Sequence, residues 1–125
     1  MGEKRNLRCL MKLEFNSTIF EIQTEDSILT RDIQNLRPVT LTLTRSADHE
    51  YYGSLPQKPG TDGTRLTSRV EEGGVYYFQA WNAFSLNFRD MDISPYQVHY
   101  VGKAGKDLAA AREASGRTIT VTVFP

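Results

Sequence analysis

The chain has 125 residues, of which 39% are hydrophobic and 24% charged, and its fifteen basic residues are balanced by fifteen acidic ones. This length suits one domain with a core large enough to fold without a metal ion or a disulfide. A net charge of zero argues against a nucleic-acid partner, because binding to phosphates relies on a basic surface. No apolar run approaches the ~20 residues that cross a bilayer, so no membrane partner is expected.

The N-terminal segment, MGEKRNLRCL, carries positive charge but lacks the apolar run of a signal peptide, and we therefore expect a cytoplasmic protein. Residues 1–10 are assigned to an N-terminal extension that leads into the first strand, and residues 11–125 to a single domain. The lone Cys9 excludes an intrachain disulfide and a thiolate metal site. It is interpreted as a small apolar residue of a strand.

The first half of the chain predicts a hairpin, a helix and two strands. LMKLEF and IFEIQ alternate in polarity around the turn-forming NST, which favours a β-hairpin. EDSILTRDIQNLRP predicts a short helix, because Asp26 or Ser27 can cap its first turn and Pro38 disfavours its continuation. VTLTLT then predicts a strand with one dry and one wet face, and YYGSLP a further strand ending near Leu55.

The second half begins with a long loop. Glycine and proline dominate between Pro56 and Gly74, and a loop of this length is typical of a functional or mobile segment. GKDLAAAREASG predicts a second helix with Asp107 near its start and Gly116 at its end, and RTITVTVF predicts the last strand. About eight strands with two interspersed helices favour an antiparallel barrel over a doubly wound parallel sheet.

Residues 73–90, GGVYYFQAWNAFSLNFRD, hold six aromatic residues of a chain that has one Trp, six Tyr and six Phe. If this stretch is a hairpin, Phe84, Leu86 and Phe88 share one face of its second arm and Ser85 and Asn87 share the other. The first arm is apolar on both faces, so one set fills the barrel and the other needs a cover. A helix, the long loop, a ligand or a partner chain could each provide it.

The two histidines do not form a recognisable metal site. His49 lies in SADHE and is expected at an exposed, charged loop tip. His99 is expected on the strand face opposite Val98 and Tyr100, at the surface or hydrogen-bonded. Because neither histidine has a carboxylate at a ligand spacing, we expect no metal ion and no cofactor.

The order of several short motifs resembles that of small bacterial cyclophilin-like proteins. In that family an Arg-Asp step and a proline precede a Leu-Thr-alternating strand, and a Leu-Pro, a Tyr-Tyr strand, a tryptophan and a basic-acidic pair follow. The resemblance spans roughly residues 11 to 123. It implies a mainly β fold, a closed antiparallel eight-stranded barrel with two short helices. The matching residues here are Arg31, Asp32, Pro38, Leu41, Thr42, Leu43, Leu55, Pro56, Tyr76, Tyr77, Trp81, Arg89 and Asp90.

The chain departs from the family at the tip of the aromatic hairpin. The family usually has Gly-Asn after the tryptophan, whereas this chain has Asn82 and Ala83. A two-residue hairpin turn needs positive φ angles, which alanine tolerates poorly. We therefore expect a longer or shifted turn, and the register of residues 80–85 stays open.

True cyclophilins isomerise prolyl peptide bonds with an arginine in a Phe-His-Arg strand, near Gln-Gly-Gly-Asp and Asn-Gly-Ser-Gln-Phe-Phe stretches. None of these motifs occurs in this chain, and HEYYGSLP, with Tyr51 and Tyr52, occupies the place expected for the arginine strand. The resemblance therefore favours a non-catalytic module that binds a peptide or a small molecule. The alternatives are a prolyl isomerase with a non-standard active site and a structural or self-associating domain, including a homodimer.

The predicted binding site is an outer groove between the YYGSLP strand, the hairpin tip and the 56–74 loop. Tyr52, Trp81 and Phe84 are expected to supply apolar contact, because ligand clefts are typically lined by aromatic side chains. Arg65 or Arg89 is expected to anchor an anionic group of the ligand.

Overall fold

The structure of the chain is a computed structural model that describes residues 10–15, 17–36, 39–46, 49–104, 106–113 and 116–124. Within these residues it contains eleven strands, two α-helices and a 3₁₀ turn. Residues 1–9 of the predicted N-terminal extension, which include Cys9, and the helix-ending Pro38 lie outside the described residues, whereas Leu10 begins β1. The elements are β1 (Leu10–Phe15), β2 (Thr18–Thr24), α1 (Ile28–Gln34), β3 (Val39–Ser46), β4 (Glu50–Ser54), β5 (Leu66–Thr67), β6 (Arg69–Val70), β7 (Gly74–Phe78), the 3₁₀ turn (Gln79–Trp81), β8 (Ala83–Asn87), β9 (Met91–Asp92), β10 (Val98–Lys103), α2 (Lys106–Glu113) and β11 (Thr118–Phe124).

Eight of the strands form a closed antiparallel barrel, as the sequence predicts. Their order around the barrel is β2-β1-β11-β3-β4-β8-β7-β10, and β10 returns to β2. The closing seam consists of two residue pairs, Gly102 with Thr24 and Lys103 with Gln23. β5 pairs with β10 beside this seam, and β6 and β9 form a separate two-stranded ribbon.

The alternation of side chains along each strand fills the barrel. In β3, Leu41 and Leu43 are buried and Thr40 and Thr42 are exposed, which confirms the predicted dry and wet faces. β11 pairs with β3 and follows the same pattern, and its Thr122 hydroxyl lies 3.1 Å from that of Thr40 on the outer surface. β-Branched residues suit this half-buried, pleated surface.

The two helices close the ends of the barrel. The Ser27 hydroxyl caps α1 by accepting a hydrogen bond of 3.1 Å from the backbone N–H of Thr30. α1 joins the end of β2 to the start of β3 and buries Leu29 and Ile33 in the core. α2 joins β10 to β11 at the opposite end and inserts Leu108. No helix in the described part of the chain is long and apolar enough to span a membrane.

The aromatic hairpin supplies two hydrophobic clusters, one on each side of the barrel wall. Tyr77, Phe84 and Leu86 point into the barrel, whereas Tyr76 lies in a second buried cluster outside it. The 56–74 loop contains β5 and β6, and β6 with β9 contributes the cover of this outer cluster. Most of the surplus apolar face is therefore covered by the chain itself. The outer cluster comprises Val70, Tyr76 and Val98 with the partly buried Phe78, Ile93 and Tyr100.

The absence of a side chain at position 102 allows the barrel to close. A Cβ atom on Gly102 would lie 2.5 Å from the backbone oxygen of Gln23 and 2.9 Å from the Cα atom of Thr24. Both of these atoms belong to the backbone of β2, which cannot move aside without breaking the seam.

We therefore predict that Gly102→Ala destabilises the protein by about 1–3 kcal/mol, the usual cost of overpacking. The measurement is the free energy of unfolding in urea. Gly116→Ala is the matched control, because nothing lies within 4 Å of its added Cβ, and it should change stability by no more than about 0.5 kcal/mol. Equal effects of the two substitutions would contradict the steric argument.

Burial of the outer cluster predicts a loss of stability in alkali. Burial raises the pKa of Tyr76 from 10.0 to about 12, and the hydrogen bond from the Glu71 backbone N–H opposes this shift. The folded protein thus holds the phenol proton more tightly than the unfolded chain. The resulting stabilisation is complete below pH 10 and is lost as the pH rises to about 12.

We expect the free energy of unfolding to fall more steeply between these pH values for the wild type than for Tyr76→Phe, which has no phenol proton at this position. Urea titrations across this range measure the difference. Trp81→Phe, which replaces an exposed aromatic residue without an ionisable group, should keep the slope of the wild type. If the free energy of unfolding of Tyr76→Phe falls with pH as steeply as that of the wild type, Tyr76 does not cause the loss of stability in alkali.

Candidate functional site

Four aromatic side chains form a continuous strip on the outer surface, which we call the aromatic strip: Tyr52, Trp81, Phe78 and Tyr96. The ring centroids of Tyr52 and Trp81 are 5.8 Å apart, those of Trp81 and Phe78 5.2 Å, and those of Phe78 and Tyr96 6.3 Å. Trp81 is 63% exposed and Tyr96 64% exposed. Contiguous apolar patches on a protein surface often mark binding sites.

The ring of Phe78 connects the two most exposed rings of the strip. Phe78 lies in the middle and is partly buried against the outer cluster. The rings of Trp81 and Tyr96 flank it at interplanar angles of 76° and 88°. This edge-to-face packing is the arrangement that aromatic quadrupoles favour, and it leaves parts of the two outer rings open to solvent.

The hairpin tip fixes the position of Trp81. The 3₁₀ turn Gln79–Trp81 ends at Asn82, whose φ of 50° is left-handed. The side chain of Asn82 accepts a hydrogen bond of 2.7 Å from the Tyr77 hydroxyl and donates one of 3.0 Å to the Leu55 carbonyl. Asparagine tolerates this conformation better than most residues. The expectation of a longer turn is thus confirmed, and Ala83 already belongs to β8.

Hydrogen bonds also shape the turn that presents Tyr96. The Asp92 carboxylate accepts bonds from the backbone N–H of Ser94 at 3.0 Å and from its hydroxyl at 2.7 Å. These bonds lower the pKa of Asp92. The backbone N–H of Tyr96 then donates to the Ile93 carbonyl at 2.9 Å, and Ile93 packs in the outer cluster. Tyr96 is therefore held by a turn anchored to the barrel wall.

Of the three aromatic residues predicted for the site, two meet on the outer surface. Tyr52 and Trp81 are in ring contact, but Phe84 is fully buried in the barrel and cannot line an outer groove. It faces inwards because it pairs with the inward-facing Tyr77. The sequence analysis missed Phe78 and Tyr96 as site residues, although Phe78 shares the outward face of β7 with Tyr76.

The two arginines predicted as anionic anchors lie away from the strip. Arg65 forms an ion pair of 3.0 Å with Glu25, and its guanidinium lies 4.3 Å from the centroid of the Tyr100 ring. Arg89 follows the far end of β8, near Phe88, whereas Trp81 precedes the near end. In the described part of the chain neither guanidinium lies over a ring of the strip, and an anchoring role for either arginine stays a prediction. Long-range strand pairing decides these positions.

Both histidines are buried, which contradicts the exposed loop tip expected for His49. The expectation for His99 is a surface or a hydrogen-bonded position. His49 is 6% exposed. His99 is on the face opposite Val98 and Tyr100, as predicted, but it is 7% exposed and lies against Tyr77, with ring centroids 6.4 Å apart. Its Nδ1 atom has no hydrogen-bond partner among the described residues. In the same part of the chain no group of three or more His, Cys, Asp or Glu residues could hold a metal ion.

An open groove of about 560 Å³ also runs along the seam between β2 and β10. Its charged groups are largely paired within the chain: Glu25 with Arg65, and Lys103 with Glu71 at 3.0 Å. A charged ligand would have to displace these pairs. The aromatic strip, which is open and has no such competition, is the stronger candidate site. The groove is lined by Glu21, Gln23, Thr24, Glu25, Tyr100, Lys103 and Ala104.

The closed eight-stranded barrel with a helix at each end defines the structural class of the protein. Comparison of the sequence with models of protein families gives the same class. The family model of the cyclophilin-like family matches residues 13–123, and the chain belongs to this family. No curated protein matches the chain.

Two solved structures are similar in fold. One is the solution structure of the hypothetical protein AF2241 from Archaeoglobus fulgidus, which is 21% identical, with a TM-score of 0.65 over 99% of this chain and 98% of that one. The other is McbB in complex with tryptophan, which is 12% identical, with a TM-score of 0.61 over 91% of this chain and 44% of McbB. At these identities the similarity concerns the fold alone.

We predict that Asn82 holds the hairpin tip and hence Trp81. Asn82→Gly keeps the left-handed conformation but loses both side-chain hydrogen bonds, at about 1–2 kcal/mol. Asn82→Ala loses the same bonds and adds the steric cost of the left-handed region, about 1 kcal/mol more. The stabilities measured in urea should therefore decrease from wild type to Asn82→Gly to Asn82→Ala. An alanine variant as stable as the wild type would refute the role.

Proposed function

We propose that this protein is a non-catalytic binding module that holds an uncharged, proline-containing peptide segment on the aromatic strip. The observation that carries the proposal is the pair of exposed rings, Trp81 and Tyr96, on either side of Phe78. A monomeric surface gains nothing from exposing two such rings side by side. A ligand that covers them gains the free energy of burying apolar area.

The shape of the strip supports an extended, proline-containing ligand. Proline-rich segments adopt the polyproline II conformation without internal hydrogen bonds and dock into grooves lined by aromatic rings. A partly buried ring in contact with two exposed rings offers an aromatic surface to a pyrrolidine ring. Because the segment is already extended in solution, it loses little conformational entropy on binding.

The electrostatics of the strip support an uncharged ligand. In the described part of the chain, arginine side chains lie over the rings of Tyr51, Phe88 and Tyr100 but over none of the four rings of the strip. The arginines expected to anchor an anionic group, Arg65 and Arg89, lie elsewhere. An uncharged segment therefore fits this surface better than a phosphate or a carboxylate.

The residues next to the strip do not favour catalysis. The strand expected in the place of the arginine strand of true cyclophilins is β4, and its outward side chains are Glu50, Tyr52 and Ser54. Burial raises the pKa of Glu50, and nearby His49 opposes the shift. None of these three side chains carries the guanidinium that those enzymes direct at the prolyl nitrogen.

The test uses the single tryptophan as a reporter. An acetylated and amidated polyproline peptide is titrated into the full chain, and the fluorescence of Trp81 is followed, because Trp81 is the only tryptophan in the sequence. We expect a saturable change. Tyr96→Ala should raise the Kd about tenfold, as loss of a central aromatic contact does. Trp81→Ala should do the same when binding is measured by calorimetry.

Leu66→Ala is the control, since Leu66 is a large apolar residue exposed elsewhere on the surface, and it should bind like the wild type. A charge-matched peptide without proline should bind more weakly. Equal loss of affinity in all three variants, or no binding of polyproline, would contradict the proposal. Saturable binding of free tryptophan instead would point to a small-molecule site, and acceleration in a prolyl isomerase assay would point to catalysis.

A further inference from the structure

One edge of β2 lacks a partner strand over most of its length in the part of the chain that the structure describes. On one side it pairs with β1 over its entire observed length, from Thr18 opposite Phe15 to Gln23 opposite Leu10. On the other side it pairs with β10 only through Gln23 and Thr24. Among the residues that the structure describes, no strand therefore lies beside residues 18–22 on this second side.

The register of the hairpin shows which backbone groups point to this edge. Phe15 and Thr18 enclose a two-residue turn, so they exchange both hydrogen bonds of a close pair. The bonding side alternates along an antiparallel strand, and the amide groups of Ile19 and Glu21 therefore point away from β1. The contacts at the seam follow the same alternation. Gln23, two residues after Glu21, pairs with Lys103 of β10, and the N–H of Glu25 donates to the Val101 carbonyl at 3.0 Å.

The side chains at this edge leave it open. Ile19 is 57% exposed, and Glu21 is also exposed. Soluble proteins usually protect such an edge with charged side chains, above all lysine, with a proline or with a bulge, and residues 18–22, TIFEI, contain one charge, Glu21, and no lysine or proline. Two N–H groups, two C=O groups and an exposed isoleucine side chain thus form a template for an added strand.

We propose that a second copy of this chain occupies the edge, with β2 pairing antiparallel to β2 of the partner about a two-fold axis at Phe20. In this register Ile19 lies opposite Glu21 of the other copy, and the two residue pairs form four backbone hydrogen bonds. Phe20 faces its own symmetry mate. No charged residue lies opposite a like charge.

The neighbouring registers are worse. An axis at Glu21 would place the two glutamates opposite each other and would set Ile19 against Gln23, whose backbone is already paired with Lys103. An axis at Ile19 would place Glu21 opposite Ser17, a turn residue with a φ of 62°, and would leave one pair of hydrogen bonds. A two-fold arrangement at Phe20 is thus the self-complementary solution, and closed two-fold dimers are the commonest oligomers.

Sedimentation velocity of the full chain tests the proposal. We expect a dimer whose fraction rises with protein concentration. Two variants with opposite charges at position 19 should differ in their dimer Kd. Ile19→Glu sets a glutamate opposite Glu21 of the partner twice and should raise the dimer Kd about tenfold or more. Ile19→Lys removes the same apolar side chain but gains an opposite charge in both pairs, and it should keep the dimer. Thermal unfolding checks that both variants fold.

A register-specific cross-link completes the test, in a Cys9→Ser background. Residues 19 and 21 of the two copies would lie about 5.5 Å apart at Cα, which a disulfide can bridge. A mixture of Ile19→Cys and Glu21→Cys chains should therefore cross-link on oxidation, and either variant alone should not. A monomer at about 1 mM, or equal dimerisation of the two charge variants, would overturn the proposal. A monomer whose Ile19 and Glu21 amides resist hydrogen exchange would show instead that residues 1–9 cover the edge.

Discussion

Closure of the cylinder at the seam between β2 and β10 is the constraint on which the rest of the structure depends. Two residue pairs make this contact, and it requires a backbone approach that any side chain at Gly102 would block. Closure gives the aliphatic residues of eight strands one shared interior, which the helices α1 and α2 seal at the two ends. Because the seam is so short, it also leaves the rest of the β2 edge without a partner strand among the described residues. The same feature that completes the core thus leaves the edge at which we propose that a second copy adds.

The hairpin of β7 and β8 serves two packing tasks at once. One face of each arm fills the barrel, where Tyr77 contributes a phenol whose hydroxyl bonds to Asn82. The other face of β7 would expose Tyr76 and Phe78, and the ribbon of β6 and β9 covers most of it. The cover stops short of the hairpin tip, so the rings of Trp81 and Tyr96 stay in solvent. An incompletely covered apolar wall, held rigid by hydrogen bonds at both of its turns, is the physical basis of the aromatic strip.

The fold could be predicted closely because its signals are local and repeated. Alternation in VTLTLT fixed the two faces of β3, Ser27 was foreseen as a helix cap, and alanine at position 83 indicated that a two-residue turn would not form. The site could be predicted only in part. Tyr52 and Trp81 meet as expected, but Phe84 points inwards, and Arg65 and Arg89 lie elsewhere. His49 and His99 are buried although each sits among polar or mixed residues in the sequence.

The sequence by itself determined the strands, the helices and the family, because periodicity, capping residues and motif order are properties of neighbouring residues. Only the tertiary structure decided which of two apolar faces is covered and which side chains from distant strands meet. Tyr96 joins Phe78 because a loop folds back over β7, and Arg65 meets Glu25 because β2 and β10 close the barrel. These contacts depend on pairing between residues far apart in the chain, and a pattern of period two states only that a side chain is inside or outside, without stating what lies beside it.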